Sequence, residues 1–387
     1  MASRRQRRTI PLLRVFGIQI SVGASWLVVL LVYLFLLTPY FHSLLGGGYT
    51  AAYLLTVLGV LGFFASLVAH ELGHALVARH QGVEVVGIEL WALGGLTKTR
   101  LTKPLGPWKR LAVAAAGPAV NAAIAVFCLG VGAAAVGGSP FLRLAVGETA
   151  GHPGAGAVFL AWLGTVNVLL LALNLLPAYP LDGAQILQSL LAALSGNQAQ
   201  GLRATGRIGQ LVGLAAGVAA FYLILHGYPS GLFLLLLGLF LFQSATVAAN
   251  QGEAAVRISH LTVGQLLDRH PLLVPAELPV LEAWERYFEG HAGGWYPVAD
   301  PQHRFLGAVS GKRLQEEIAA GRPALAVAEV AEGARELAFL LRDDGEPVEG
   351  LLRSEGIQRW GGLVAVDSDG VVQGILTLSG LQAALRS

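Results

Sequence analysis

This sequence is poor in cysteine and, over most of its length, poor in charge. Its one cysteine, Cys128, excludes an intrachain disulfide and a cysteine-based zinc site, and it lies in an apolar run as a small packing residue. Residues 14–250 carry only 15 Asp, Glu, Lys and Arg side chains, whereas residues 251–387 carry 31. So few charges in a chain that is 54% hydrophobic point the first part to a membrane and the second to water. The net charge is +9 up to residue 250 and −7 beyond it, so the overall +2 averages two unlike regions and gives no support for nucleic-acid binding.

The apolar residues fall into runs near 18–38, 53–79, 110–136, 155–176, 208–226 and 230–248, each long enough to cross about 30 Å of hydrocarbon. Arg4, Arg5, Arg7 and Arg8 precede the first run, but no small-residue cleavage pattern follows it, so it reads as a retained span. Six spans place both termini on one side. Arg79, Lys98, Arg100, Lys103, Lys109, Arg110, Arg203 and Arg207 all fall on that side with the basic N-terminus. The opposite loops, 39–52, 137–154 and 227–229, hold only Arg143 and Glu148 as charged residues. This is a positive-inside pattern with cytoplasmic termini. Val83 to Leu90, rich in β-branched residues and followed by Trp91 and the Gly94–Gly95 pair, reads as a short strand or hairpin at the inner membrane surface.

The informative motif lies in the second apolar run: His70-Glu71-Leu72-Gly73-His74. Two histidines four apart share a helical face and can grip one metal, and ionisable groups at membrane depth usually serve a site. A catalytic zinc generally takes a third protein ligand. His42, His152 and His226 sit at outer connections, and Glu84 and Glu89 belong to a polar loop. Asp182 is placed better, where the fourth run ends in Asn174-Leu-Leu-Pro177-Ala-Tyr-Pro180-Leu-Asp182-Gly183 on the inner side. Pro177 and Pro180 interrupt the helix there, and Gly183 permits a tight turn or close packing. This reading gives one Zn²⁺ per chain on His70, His74 and Asp182, with Glu71 taking a proton from water and delivering it to a leaving amine. Asn174 is placed to donate to substrate backbone or a developing oxyanion. Gly117-Pro118-Ala-Val-Asn121 in the third run reads as structural support, with small residues for helix packing and Asn121 bridging to the broken segment.

These motifs, in this order over roughly residues 15–250, resemble the site-2 protease family of intramembrane zinc metalloproteases. The resemblance implies that His70, His74 and Asp182 are zinc ligands, that Glu71 is the catalytic acid–base and that Asn174 is the polar amide of the broken span. It further implies a membrane-anchored or transmembrane protein substrate, cut within or near the bilayer. Such a substrate, once unwound, would pair with a strand of the 83–90 region, so Val85, Gly94 and Gly95 become the expected substrate contacts. Peptide cleavage within a transmembrane helix requires local extension, and a strand edge would replace the lost backbone partners.

Residues 259–387 contain an internal duplication. Leu261-Thr-Val-Gly, Gly294-Trp-Tyr-Pro-Val-Ala and Phe305-Leu-Gly-Ala-Val-Ser in the first half are echoed by Pro323-Ala-Leu-Ala-Val, Gly362-Leu-Val-Ala-Val-Asp and Val371-Val-Gln-Gly-Ile-Leu-Thr in the second. Each half looks like a CBS motif, and two such motifs form one module that in some proteins binds an adenosine nucleotide. Here Gly307 and Ser310 lead to Arg313, and Gly374 and Thr377 lead to Gly380, so neither half keeps the acid that holds ribose. A nucleotide-free docking or homodimerisation module is the alternative.

The expected fold is therefore a polytopic α-helical membrane protein with about six spans, a short membrane-associated β element and a cytosolic α/β tandem CBS module. Its expected segments are a basic N-terminus at 1–14, a metalloprotease domain at 15–250, a linker at 251–258, and CBS motifs at 259–320 and 321–387. The competing functions are a CBS-regulated transporter, which calls for polar paths through several spans, and a catalytically silent scaffold. The first lacks such paths; the retained His70, Glu71, His74 and Asp182 speak against the second.

Overall fold

A computed structural model describes residues 9–23, 25–46, 48–91, 94–100, 105–148, 153–289 and 294–386. The chain forms two compact units that divide between Glu253 and Ala254. Arg4, Arg5, Arg7, Arg8, Lys103 and His152 lie outside the described residues.

The first unit begins with strands where the sequence suggested a membrane span. Strand β1 (Thr9–Val15) and β2 (Ile18–Gly23) form a hairpin. Its turn residues Phe16 and Gly17 take φ of 50° and 80°, the paired positive angles of a tight two-residue reversal. Along β2 every second residue is buried, Ile18, Ile20 and Val22, and these pack with Ala75, Ile88 and Leu90. The run expected at 18–38 thus splits, because residues 18–22 alternate with period two and only the following residues are continuously apolar. The first long helix is α1 (Ser25–Leu45).

Helix α2 (Tyr49–His80) follows, then β3 (Glu84–Trp91), β4 (Gly94–Arg100), α3 (Pro107–Val136), α4 (Gly138–Ala145), α5 (Ala155–Asn174), α6 (Asp182–Ser195), α7 (Gln198–Leu225) and α8 (Ser230–His260). The four strands make one sheet in the order β1-β2-β3-β4, with β2 parallel to β3 and the other pairs antiparallel. Arg79, in the last turn of α2, donates from Nη1 to the Phe16 carbonyl at 2.7 Å and ties the hairpin to the helix end. Among the described residues five helices, α2, α3, α5, α7 and α8, are long and apolar enough to cross a membrane, and α1 adds a shorter apolar stretch over Leu31–Leu45. Their outward faces carry Phe35, Phe127, Leu211 and Phe233, all well exposed, as surfaces that meet hydrocarbon do. Two short helices had no counterpart in the span reading. Helix α4 packs Phe141 against Gly132 of α3, where a Cβ would strike the ring, and α6 is amphipathic rather than spanning. Residues 251–258, read as a linker, are helical and belong to α8.

The second unit carries the duplication in its strands. Strands β5 (Val274–Pro275), β6 (Trp295–Ala299) and β7 (Phe305–Ser310) form one sheet; β8 (Ala338–Leu340), β9 (Gly362–Val366) and β10 (Val372–Thr377) form another. Each has a parallel first pair and an antiparallel second pair. The halves are exchanged reciprocally. Asp268, ahead of the first sheet, bridges Ile375 in β10, and Glu332, ahead of the second, bridges Ala308 in β7. At the crossing points a Cβ on Gly307 would sit 3.1 Å from Glu332 O, and one on Gly374 2.6 Å from Asp268 O. Ser310 and Thr377, matched positions in the two halves, each accept a backbone N–H of the helix that follows, from Arg313 and Gly380.

Candidate metal centre

The sequence puts His70 and His74 one turn apart on α2, and the packing of three helices decides what surrounds them. Nε2 of His70 and Nε2 of His74 are 3.1 Å apart. Both point at Oδ2 of Asp182, at 3.1 and 3.3 Å respectively. Asp182 is the first residue of α6, not part of an irregular segment, so the helix N-terminus favours its negative charge. The seven residues before it, 175–181, form the turn that returns the chain, and Pro177 lies within it. A Cβ on Gly183 would sit 2.5 Å from Leu176 O and closer still to Leu175 O, so only glycine lets α6 start against the end of α5.

The ring nitrogens turned away from Asp182 are both engaged. Nδ1 of His70 lies 2.8 Å from Oδ1 of Asn121, and Nδ1 of His74 lies 2.7 Å from the carbonyl oxygen of Val113, both on α3. A backbone carbonyl can only accept, so His74 carries its proton on Nδ1 and presents a lone pair from Nε2; Asn121 fixes His70 the same way. Three electron-pair donors then converge on one point, an arrangement that a cation stabilises and that is repulsive without one. Ligand atoms ~2.0–2.1 Å from a tetrahedral metal stand about 3.3 Å apart, close to the three separations found here. The donor set, two imidazoles and a carboxylate, fits Zn²⁺. Among the described residues this is the only group of three or more His, Cys, Asp or Glu residues gathered closely enough to hold a metal.

Gly117 explains how α3 comes so near. A Cβ there would collide with Nε2 of His74 and lie 2.6 Å from Nε2 of His70. Pro118 and Asn121 are buried on the same helix. The expectation that Asn121 bridges to the broken fourth span is corrected: its Oδ1 meets His70. Gly73, inside the HExxH motif, packs as closely, with Ala116 O 2.9 Å from the Cβ position.

Glu71 lies off the ligand face, and Thr97 on β4 donates from Oγ1 to its Oε2 at 2.6 Å. No sequence reasoning singled out Thr97, because a β-branched residue in a strand is ordinary. Asn174 ends α5 half-buried, and no hydrogen bond links its side chain to the ligand set or to Glu71. Two polar pairs steady the surroundings. Asn167 on α5 donates to Ser66 Oγ on α2 at 3.1 Å, and Tyr179 in the turn donates to Gln188 Oε1 on α6. Burial pushes the Tyr179 phenol up to about 12, with Arg110 pulling the other way, so it remains a neutral donor.

The strand expected to offer an edge is not an edge. β3 lies inside the sheet between β2 and β4, and Val85 packs into the cluster around Ile20 and Ile88. The 83–90 strand therefore lies between two others, and among the described residues the outer position next to it belongs to β4, which begins with Gly94 and Gly95. In the second unit Arg313 forms ion pairs with Glu316, Glu317 and Glu332. His42 stacks on Tyr49, and His226 lies tilted against Tyr222.

Comparison of the sequence with known proteins points to the same metal chemistry. The sequence model of peptidase family M50 matches residues 58–151 and 142–220. The chain is 31% identical over 330 residues to a protein of Mycobacterium tuberculosis named "Putative zinc metalloprotease Rip3", covering 84% of this chain and 80% of that one. Two solved structures are similar at lower level. One is a site-2 protease from Methanocaldococcus jannaschii, 22% identical, with a TM-score of 0.39 over 62% of this chain and 95% of that one. The other is a hemolysin-like protein containing a CBS domain from Oenococcus oeni, 14% identical, with a TM-score of 0.30 over 35% of this chain and 97% of that one.

Proposed function

Because the chain belongs to peptidase family M50 and is a zinc metalloprotease with membrane-spanning helices, we propose that it hydrolyses peptide bonds in or near the transmembrane segments of membrane-anchored proteins. The observation that carries this reading is the meeting of His70, His74 and Asp182 at one point, with Glu71 next to His70 on the same turn of α2. His70, His74 and Asp182 would hold the metal. Zinc, when bound, supplies Lewis-acid chemistry, acidifying water and polarising a carbonyl.

The remaining chemistry belongs to this chain. Glu71 accepts the proton of the attacking water and passes it to the leaving amine. Asn174, half-buried at the end of α5, donates to the substrate backbone. The substrate is held extended by adding as a strand to the outer edge of β4, with Gly94 and Gly95 allowing close backbone approach. A peptide bond in an intact transmembrane helix is shielded by its own turn, so this extension precedes cleavage. Gly117, Pro118, Asn121, Pro177 and Gly183 shape the site rather than react.

The second unit acts as a tandem CBS module that governs access or substrate choice. Its charged residues form ion pairs with one another and make no second metal cluster among the described residues. A bound adenosine nucleotide changes activity only by favouring one of two states of the module. Both termini face the cytoplasm, in keeping with the distribution of Lys and Arg.

The decisive test is Glu71→Gln in the full chain, reconstituted in liposomes with a single-span transmembrane peptide that the wild-type enzyme cleaves. The amide keeps size and loses proton-accepting power, so zinc content stays at the wild-type level while the rate falls by roughly 10²–10⁴-fold or more. Near-wild-type cleavage by a zinc-loaded E71Q enzyme rejects Glu71 as the base.

A further inference from the structure

The hydroxyl of Thr97 lies where the helix carrying Glu71 meets β4, the last strand of the described sheet. Oγ1 donates to Oε2 of Glu71 at 2.6 Å and lies 3.4 Å from the carbonyl oxygen of the same residue. A short hydrogen bond to a carboxylate is strong and directional, and it confines the Glu71 side chain through Oε2. Thr97 is held in turn by backbone pairing, since its register partner is Ile88 of β3, a fully buried residue in the cluster between the sheet and α2. The anchor of the Glu71 side chain is therefore a strand of the sheet rather than a neighbour on α2.

That strand is β4, whose other side has no paired strand among the described residues. A chain adding to this side forms main-chain hydrogen bonds with β4 and fixes its position. The atom that aims Glu71 and the backbone that would receive an extended peptide are thus parts of one strand, a few residues apart at most.

We propose that Thr97 is a positioning residue for Glu71, tying the orientation of the base to the edge strand that receives substrate. This rests on the reading of Glu71 as the base. The hydroxyl holds the carboxylate toward the reacting centre, and strand addition at β4 steadies it there. Thr97 touches neither substrate nor metal; it works through Glu71.

The test compares Thr97→Val, Thr97→Ser and Glu71→Gln with wild type, all as full-length enzyme in liposomes with the same cleavable single-span peptide. Valine keeps the branched shape and strand preference and removes only the donor. The expected result is a kcat lowered about 10- to 100-fold in T97V, with KM and zinc content unchanged and most of kcat recovered in T97S. Wild-type kcat in T97V alongside an inactive E71Q overturns the role of Thr97 and leaves Glu71 as the base. A loss of zinc or a raised KM in T97V, with T97S equally impaired, also overturns it, because a purely structural strand residue behaves that way. Activity in zinc-loaded E71Q instead overturns the assignment of Glu71 itself.

Discussion

Asn121 on α3 accepts the Nδ1 proton of His70 on α2 at 2.8 Å, and this contact decides which nitrogen of the imidazole is left for a metal. The pair spans two helices and is fully buried, so no water competes for it. His74 obtains the same control from a backbone carbonyl, which mutation of a side chain cannot remove. His70 alone depends on a replaceable partner.

Replacing Asn121 by Leu should therefore weaken zinc binding by about 10- to 100-fold while leaving both ligands in place. Competition against a chelator of known affinity measures the change. Unaltered affinity in folded N121L would mean that packing alone orients His70.

Gly117→Ala should disrupt the centre more severely, since the added methyl meets Nε2 of both histidines. Gly130→Ala on the same helix is the control, because nothing lies within 4 Å of its Cβ position. Zinc per chain should fall sharply in G117A and stay at the wild-type value in G130A. Equal zinc content in the two proteins contradicts the steric account.

The ligand set predicts about one zinc per chain in the wild type and a marked loss in His70→Ala, His74→Ala and Asp182→Ala. Chelation should abolish cleavage by the wild type, and added Zn²⁺ should restore it. Full zinc content in folded D182A removes Asp182 from the set.

Topology is open to labelling. In a Cys128→Ala background, single cysteines introduced at the C-terminus should react from the cytoplasmic side and those in the 138–148 segment from the other side. Labelling of both from one face contradicts the three spans, α5, α7 and α8, placed between them.

Removal of residues 259–387 should leave zinc-dependent cleavage in place and eliminate any response to ATP. Loss of all cleavage by a correctly inserted, zinc-loaded truncated chain contradicts a purely regulatory module. A nucleotide response that survives truncation places the sensor elsewhere.

The centre was more legible in the sequence than the scaffold around it. His70, Glu71, His74 and Asp182 stand out because charged and imidazole groups are rare in an apolar stretch, so their types and spacing carry the signal. The strand β2 was hidden for the opposite reason: Ile18, Ile20 and Val22 alternate, but the continuous apolar run after them outweighed three residues of period-two pattern. Helix α6 was missed because a search for spans passes over an amphipathic helix, although its buried face, Gly183, Ala184, Ser189 and Ala192, is small throughout. Val85 was assigned to an edge because pairing partners cannot be read from one strand alone; the N-terminal hairpin, far away in sequence, occupies that side of β3. Thr97 carried no sequence signal of any kind.

The closeness of α2 and α3 at Gly73 and Gly117 has a mechanical consequence. With Ala116 O against one glycine and both ligand imidazoles against the other, neither helix can slide or roll past its neighbour without a clash. The contact sets the two histidines in register with α3. On the proposed reading, an opening that admits a polypeptide arises outside this contact, because α2 and α3 have no room to part along it without moving the histidines.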